Sequence, residues 1–447
     1  MNGMAERKRT AAIISLNDDV KELEDLADSA NLDVLYEVIQ RRAHPDSATF
    51  VGKGKASSLE EVLEKRHVDV LLFNGNLKPS QHFNLEKNLR IECVDRVRLV
   101  LNIFKERAKT AESKLQVERA TLKYEIPFLR EWIHNAKAGE HPGFLAGGEY
   151  AVDVYYDLIR KRMNVIDGEL SRLGRSQELR REQRRKKGFG LVCFAGYTNA
   201  GKSSLLNVLT NDTTMVDNKM FSTLSARTRR ADGLHGEILL TDTIGFLENL
   251  PYFMIESFRY TIDEIFSADL ILLVVDSSDS DDEMMRKINA STQILFPEVD
   301  SSRIMVILNK TDLLSSNPDE KIRLIRDVTN FNEIIPISTI SKQGIENMVG
   351  LIASHFHKSC EIDLALPNVP DTARVVAWLY DTESVRSVDY GDEVRLSIGC
   401  REESRNRIIE KVKGIGGRVI EAPGREALSL ESSSMSDLAS PRDDKER

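Results

Sequence analysis

The chain has 447 residues, 41% of them hydrophobic and 30% charged, and carries a formal net charge of −9. That describes an ordinary soluble protein long enough for about three domains, and the acidic balance argues against a general nucleic-acid binder. Charges interrupt every apolar run before it could span a bilayer. The four cysteines, Cys93, Cys193, Cys360 and Cys400, are scattered with no C-x-x-C pair, which argues against zinc or a disulfide framework and suits a reduced, cytoplasmic setting.

Basic residues precede a short apolar run at the N-terminus, but that run leads at once into Asn17-Asp18-Asp19 and reads as a first strand, not a signal peptide. Candidate strands at Ala11–Leu16, Val34–Val38, Thr49–Val51, Val68–Phe73 and Ile91–Val94 alternate with helical stretches at 18–30, 56–66 and 79–88. The alternation predicts a small α/β domain over 1–94. Within it Thr49–Lys55 (TFVGKGK) is either a plain glycine turn or a second phosphate grip. Residues 95–187 change character. Leu101, Phe104, Ala108, Ala111, Leu115, Leu122, Ile126 and Leu129 recur at helical spacings, with Glu118 in one core slot and Pro127 expected to kink or end the helix. A second stripe, Val152, Tyr155, Ile159, Met163, Ile166, Leu170 and Leu173, keeps the three–four alternation of a coiled coil. The glycine-rich Asn135–Tyr150 between them predicts an antiparallel helical hairpin with a loop at its tip. Its second helix ends in the basic run Arg175–Lys187, either a solvated face or a contact to a phosphate backbone.

Residues 188–360 read as a nucleotide domain. The apolar run Leu191–Ala195 is followed by Gly196, Tyr197, Thr198, Asn199, Ala200, Gly201, Lys202, Ser203 and Ser204, a G-x-x-x-x-G-K-S loop that opens a helix. In this strand–loop–helix context backbone N–H groups and the helix N-terminus cradle phosphate, Lys202 reaches the β- and γ-phosphates, and the Ser203 hydroxyl can ligate magnesium. A strand at Gly236–Thr241 ends in Asp242-Thr243-Ile244-Gly245: a carboxylate facing the metal and a glycine whose N–H can meet the γ-phosphate. Between loop and carboxylate, Phe221-Ser222-Thr223-Leu224-Ser225-Ala226-Arg227-Thr228 is the candidate γ-phosphate sensor, with Thr223 as the second hydroxyl on magnesium and Thr228 as the alternative. Strands at Leu270–Val275, Ile304–Leu308 and Ile334–Ile337 follow. The second of these leads into Asn309-Lys310-Thr311-Asp312, where the Asp312 carboxylate can accept both guanine N1–H and N2–H. The third leads into Ser338-Thr339-Ile340, whose backbone can contact guanine O6. P-loop, D-x-x-G and N-K-x-D in this order, each after a strand, make GTP the expected ligand, with Lys202, Thr223 and Gly245 carrying hydrolysis. Phe246 stands where Ras-like enzymes keep a glutamine that orients water, so the intrinsic rate is expected to be slow. Residues 361–424 predict a small α+β domain, with strands near Ala373–Leu379, Glu393–Ile398 and Arg418–Glu421 and a helix near 402–413. Residues 425–447, rich in Ser, Asp and Arg, read as a disordered tail.

Over about residues 35–360 the chain resembles the HflX family of ribosome-associated GTPases. The resemblance rests on ATFVGKGK (48–55), LKPSQHFNLEKNL (77–89), the 95–129 segment, GYTNAGKSS, FSTL (221–224) and DTIGFLENLP (242–251). It implies an α/β N-terminal domain, a hairpin, a P-loop GTPase domain with a mostly parallel sheet and a small C-terminal domain. It also implies docking on the large ribosomal subunit, coupled to ribosome dissociation, rescue or recycling. An Obg-like GTP-gated assembly or signalling factor is the alternative function, and a monomer the expected form. Asn199, in G-x-x-N-x-G-K-S, is the candidate ligand for a potassium ion beside magnesium in related GTPases; a local loop cap is the alternative. The chain departs from the family pattern at GFLAGGEY in the hairpin loop, at Ser225-Ala226-Arg227 after FSTL, and at Ser338-Thr339-Ile340.

Overall fold

The computed structural model describes residues 8–52, 54–56, 59, 67–137, 148–187, 189–210, 219–231, 238–329, 331, 333–356 and 359–420. The tip of the hairpin, most of the 56–66 helix and the 425–447 tail lie outside the described residues. Two compact units result, residues 1–185 with 189–349, and 186–188 with 350–447.

In the first unit, β1 (Arg9–Ser15), β2 (Leu32–Ile39), β3 (Val70–Phe73) and β4 (Glu92–Asp95) form a parallel sheet in the order β2-β1-β3-β4. Ala11–Ile14 and Val70–Phe73 are continuously buried, as strands covered on both faces must be. Thr49–Val51 is not a strand: Asp46 and Phe50 pair their backbones across a tight turn, and the Asp46 carboxylate accepts the Ala48 N–H at 2.9 Å. The turn's aspartate outweighs its short β-branched run.

The stripe that begins at Leu101 is carried by two helices. Arg96–Arg107 is capped by Asp95, whose Oδ1 accepts the Arg98 N–H at 2.8 Å, and it buries Val97, Val100 and Phe104 against the sheet. The chain breaks at Ala108–Thr110 and restarts as Ala111–Lys137. Thr110 Oγ1 accepts from Ser113 N at 3.0 Å while Ser113 Oγ accepts from Thr110 N at 3.2 Å, a reciprocal N-terminal cap. Pro127 lies inside this helix and does not end it. The partner helix is Gly148–Lys186, with Ile159, Ile166 and Leu170 buried. Glu118, the break in the first stripe, accepts two bonds from Arg162 across the hairpin, at 2.6 and 2.7 Å.

A six-stranded sheet follows in the order β10-β9-β8-β5-β7-β6: β5 (Gly190–Gly196), β6 (Arg227–Arg230), β7 (Ile238–Asp242), β8 (Leu270–Asp276), β9 (Ile304–Asn309) and β10 (Ile334–Pro336). All neighbours are parallel except β6, which runs antiparallel on the edge. Its sequence, RTRR, is exposed throughout and lacks the apolar alternation that announces a strand; charge suits a sheet edge.

The second unit is an antiparallel sheet, β12 (Ser384–Tyr390), β13 (Glu393–Arg401), β11 (Ser359–Pro367) and β14 (Arg418–Ile420) in that order, with helices Pro370–Thr382 and Glu402–Gly414. The strand expected near Ala373–Leu379 is a helix. Pro370 sits in its first turn, and Val375, Val376 and Leu379 bury one helical face; a short apolar run does not by itself distinguish the two periods.

Candidate functional site

The loop after β5 turns through positive φ at Gly196 (133°), Asn199 (62°) and Gly201 (96°). A Cβ on Gly196 would stand 2.3 Å from the Val274 carbonyl oxygen, so only glycine lets β5 pass into the loop beside β8. Lys202 opens the helix Lys202–Leu209, buried, with its ammonium donating to the carbonyls of Gly196 at 3.0 Å and Tyr197 at 2.6 Å. Burial lowers its pKa to about 8, against the pull of the Asp242 carboxylate.

Three oxygens meet beside it. Asp242 Oδ2 accepts from Ser203 Oγ at 2.6 Å and Thr223 Oγ1 at 2.8 Å, and the two hydroxyls are 3.0 Å apart. Among the described residues Asp242 Oδ1 is buried without a hydrogen-bond partner. One carboxylate and two hydroxyls with an unspent carboxylate oxygen fit a small, hard, oxygen-seeking cation such as magnesium. The alternative hydroxyl, Thr228, pairs instead with Thr241 across β6 and β7 at 2.9 Å. Gly245 lies against the loop: a Cβ there would be 2.9 Å from Thr198 Cα and 3.1 Å from Lys202 Nζ.

At the far end Asn309 Nδ2 donates to the Ala200 carbonyl at 3.0 Å, and its Oδ1 accepts the Thr339 N–H at 3.3 Å. One amide thus ties the phosphate loop to the turn after β10. Lys310, at φ 64°, pairs with Asp276 at 2.6 Å. Ser338 Oγ donates to Asp312 Oδ1 at 2.5 Å and accepts the N–H groups of Ile340 and Ser341. A cavity of about 270 Å³ runs from Thr198, Lys202, Ser203, Thr223 and Gly245 to Asn309, Lys310, Thr339 and Ile340, along Asn199, Gly201, Ser204, Ser222 and Thr243. Other predicted residues sit behind this lining. Ile244 is core, and the buried Phe221 ring packs edge-on to Phe104 at 4.7 Å although its residue borders the cavity.

Comparison with known proteins agrees along the chain. Residues 17–105 match a family described as GTP-binding GTPase N-terminal, 107–184 one described as GTP-binding GTPase Middle Region, and 191–310 one described as 50S ribosome-binding GTPase. GTPase HflX of Thermococcus kodakarensis is 40% identical over 385 residues, 84% of this chain and 87% of that protein. The chain belongs to the HflX family of GTPases. GTPase HflX of Escherichia coli is 32% identical over 396 residues, 86% of this chain and 89% of its own length. Among solved structures, SsGBP in complex with GDP superposes with a TM-score of 0.50 at 24% identity, over 77% of this chain and 98% of that one, a likeness of fold.

In this HflX-family chain the phosphate loop is joined to more than its own domain. Tyr197 Oη donates to the Glu22 carboxylate and accepts the Glu248 N–H at 3.1 Å; Arg96 donates to Glu22 and, at 2.7 Å, to the Glu248 carbonyl. Burial and the Glu22 charge push the Tyr197 phenol well above its ordinary pKa. Phe246 is buried in the GTPase core, and its N–H and carbonyl bond Gly196 O and Thr198 N, each at 3.0 Å. Nothing local in the sequence announces Glu22, Arg96 or Glu248 as partners of the loop, because the residues lie far apart in the chain. Lys219 also lines the cavity, and no motif in the sequence marks it. The basic run divides: Arg181 and Arg184 pair with the buried Glu264, at 3.4 and 3.5 Å, whereas Arg180 is exposed.

Proposed function

We propose that this chain binds GTP in the 270 Å³ cavity, hydrolyses it slowly, and docks on the large ribosomal subunit, where nucleotide state is coupled to subunit association. The observation that carries the reading is the meeting of Ser203, Thr223 and Asp242 beside buried Lys202, at one end of a cavity whose other end is lined by Asn309 and Thr339, the latter adjoining the Ser338 that donates to Asp312. Backbone N–H groups of residues 198–203 and the Lys202 ammonium hold the β- and γ-phosphates. Ser203, Thr223 and Asp242 would hold magnesium, which supplies charge stabilisation to the phosphoryl oxygens. Gly245 offers its N–H to the γ-phosphate, and the glycine leaves room for it. Asp312, oriented by Ser338, accepts from the guanine edge.

Phe246, buried and apolar, cannot orient the attacking water, so turnover waits on geometry supplied from outside. The 50S ribosome-binding description of the family matched by residues 191–310 supports the large subunit as that source. Purified large subunits are expected to raise the steady-state GTPase rate about tenfold or more, as a missing charge or positioning group in this class costs that much or more; an unchanged rate would remove the ribosomal reading.

Asn199 is proposed as a ligand for potassium, a positive charge at the transferring phosphoryl group. Its positive φ of 62° supplies a competing reason for asparagine, which tolerates the left-handed region. Basal hydrolysis is expected to be several-fold faster in potassium than in sodium chloride at equal ionic strength, on the order of 1 kcal/mol of electrostatic stabilisation, and Asn199→Ala to erase the difference. Equal rates for the unmodified chain would leave Asn199 as a backbone choice.

A further inference from the structure

The first helix of the hairpin begins beside the segment that carries Thr223. Thr110 caps it, and the same hydroxyl lies 3.1 Å from Ser225 Oγ, two residues beyond Thr223. The segment from Phe221 to Thr228 is held firmly at two places. Phe221 and Leu224 are buried among core residues, and Thr228 bonds Thr241. Between these anchors Ser225 and Ala226 border a cavity of about 90 Å³, walled on the hairpin side by Glu112, Gln116 and Gln177 and on the GTPase side by Glu264. Its walls mix polar and apolar groups, and among the described residues Gln116 Nε2 and Glu264 Oε2 are buried with no hydrogen-bond partner, although Arg184 stands 3.5 Å from the latter. A segment that borders such a cavity lacks partner atoms on that side and gains little packing energy there. Here the Thr110–Ser225 bond fixes the stretch downstream of Thr223, and it does so from the hairpin.

We propose that Thr110 is a positioning residue for the magnesium site: through Ser225 it adds to the hold that buried Phe221 and Leu224 have on Thr223 beside Ser203 and Asp242, and so ties the nucleotide state to the first turn of the hairpin. The inference rests on the nucleotide reading above and adds a route by which the arm and the site sense each other. When the bond is made, Thr223 is held for the metal and the first turn is capped on both sides. When the segment lifts, Thr110 keeps its bond to Ser113 but loses Ser225, and the first turn loosens. A purely structural cap would keep the helix in place whatever the nucleotide.

The test uses the full-length chain and Ser225→Ala, which leaves the Thr110–Ser113 cap intact. Release of a fluorescent GTP analogue is followed as magnesium is titrated. The magnesium concentration giving half-maximal slowing should rise roughly three- to tenfold, the range for one lost hydrogen bond. Analogue affinity in EDTA should be unchanged. Hydrogen exchange at residues 113–117 should be slower with analogue and magnesium than with GDP in the unmodified chain, and Ser225→Ala should abolish that difference. Thr110→Ser, which keeps the hydroxyl, should behave as the unmodified chain; Thr110→Val should raise the magnesium midpoint as Ser225→Ala does and, because it also removes the cap on Ser113, speed exchange in both nucleotide states. An unchanged magnesium midpoint and an unchanged exchange difference in Ser225→Ala, with nucleotide binding intact, would overturn the proposal alone. Failure of the unmodified chain to bind the analogue would overturn the nucleotide reading beneath it.

Discussion

Asp312→Asn is expected to lower affinity for GTP by roughly a thousand-fold or more and to raise affinity for xanthosine triphosphate, because a buried base edge facing the wrong hydrogen-bonding group leaves both sides unpaired. The carboxylate is acceptor-only, which matches the two donors of guanine N1–H and N2–H. An amide presents one donor and one acceptor, which matches xanthine, where the exocyclic amine is replaced by a carbonyl. Ser338 donates to Asp312 Oδ1 at 2.5 Å, and its own oxygen is held by the Ile340 and Ser341 N–H groups, so the carboxylate is oriented before any base arrives. Ser338→Ala removes only that orientation and should cost roughly tenfold, the scale of one charge-assisted hydrogen bond. Titrations of both variants with GTP and xanthosine triphosphate check the pair. Undiminished GTP affinity in Asp312→Asn would place the base elsewhere.

Why the site was so legible, and its surroundings less so, follows from where the information lies. G-x-x-x-x-G-K-S, D-T-I-G and N-K-T-D are local: each needs a strand, a turn and a few side chains in sequence, and the parallel sheet brings the three strand ends to one edge. The sequence leaves Thr223 and Thr228 as the two candidates for the second hydroxyl, and the geometry has Thr223 meeting Ser203 and Asp242 while Thr228 faces Thr241. Short segments of ambiguous period were less legible. Ala373–Leu379 has the composition of a strand and the burial pattern of a helix, and Arg227–Arg230 has neither signature, being a strand only through its pairing with β7. Long-range polar partners were not legible at all. The Glu22–Arg96–Tyr197–Glu248 ring and the Thr110–Ser225 pair are products of packing between segments far apart in the chain, and no local pattern encodes them. The same holds for Arg181 and Arg184, which as sequence are a charge run and in the fold neutralise a buried glutamate.

Lys202→Met should split stability from activity. Phosphate contacts from this ammonium matter most where charge develops on the transferring group, so hydrolysis should fall by at least roughly a thousand-fold, with GTP affinity falling more than GDP affinity. Stability should move the other way. Burial penalises the charged form of Lys202 and lowers its pKa from 10.5 to about 8. A shift of that size corresponds to a cost of about 3 kcal/mol borne by the empty fold at neutral pH, where the lysine is charged both folded and unfolded. As pH rises through about 8 the folded chain releases this proton, while the unfolded chain keeps it until about 10.5, so the stability of the unmodified chain should rise across that window. Methionine carries no such cost. The carbonyls it leaves behind keep other donors: Gly196 O accepts from Phe246 N at 3.0 Å and Tyr197 O, less well, from Ala200 N at 3.4 Å. Some of the cost should therefore be recovered, about 1–2 kcal/mol at pH 7 after the lost hydrogen bonds are set against it, and the gap between the two chains should close toward pH 10.5. Nucleotide titrations of the unmodified chain check the same group independently. Below about pH 8 the lysine is already charged, whereas above it each binding event must take up a proton, so affinity should decline by as much as tenfold per pH unit. Denaturant unfolding of both proteins at pH 7 and pH 10 reads the stability half. A Lys202→Met chain less stable than the parent at pH 7, or an affinity flat from pH 7 to 10, would mean that the ammonium is not desolvated as the loop's geometry requires.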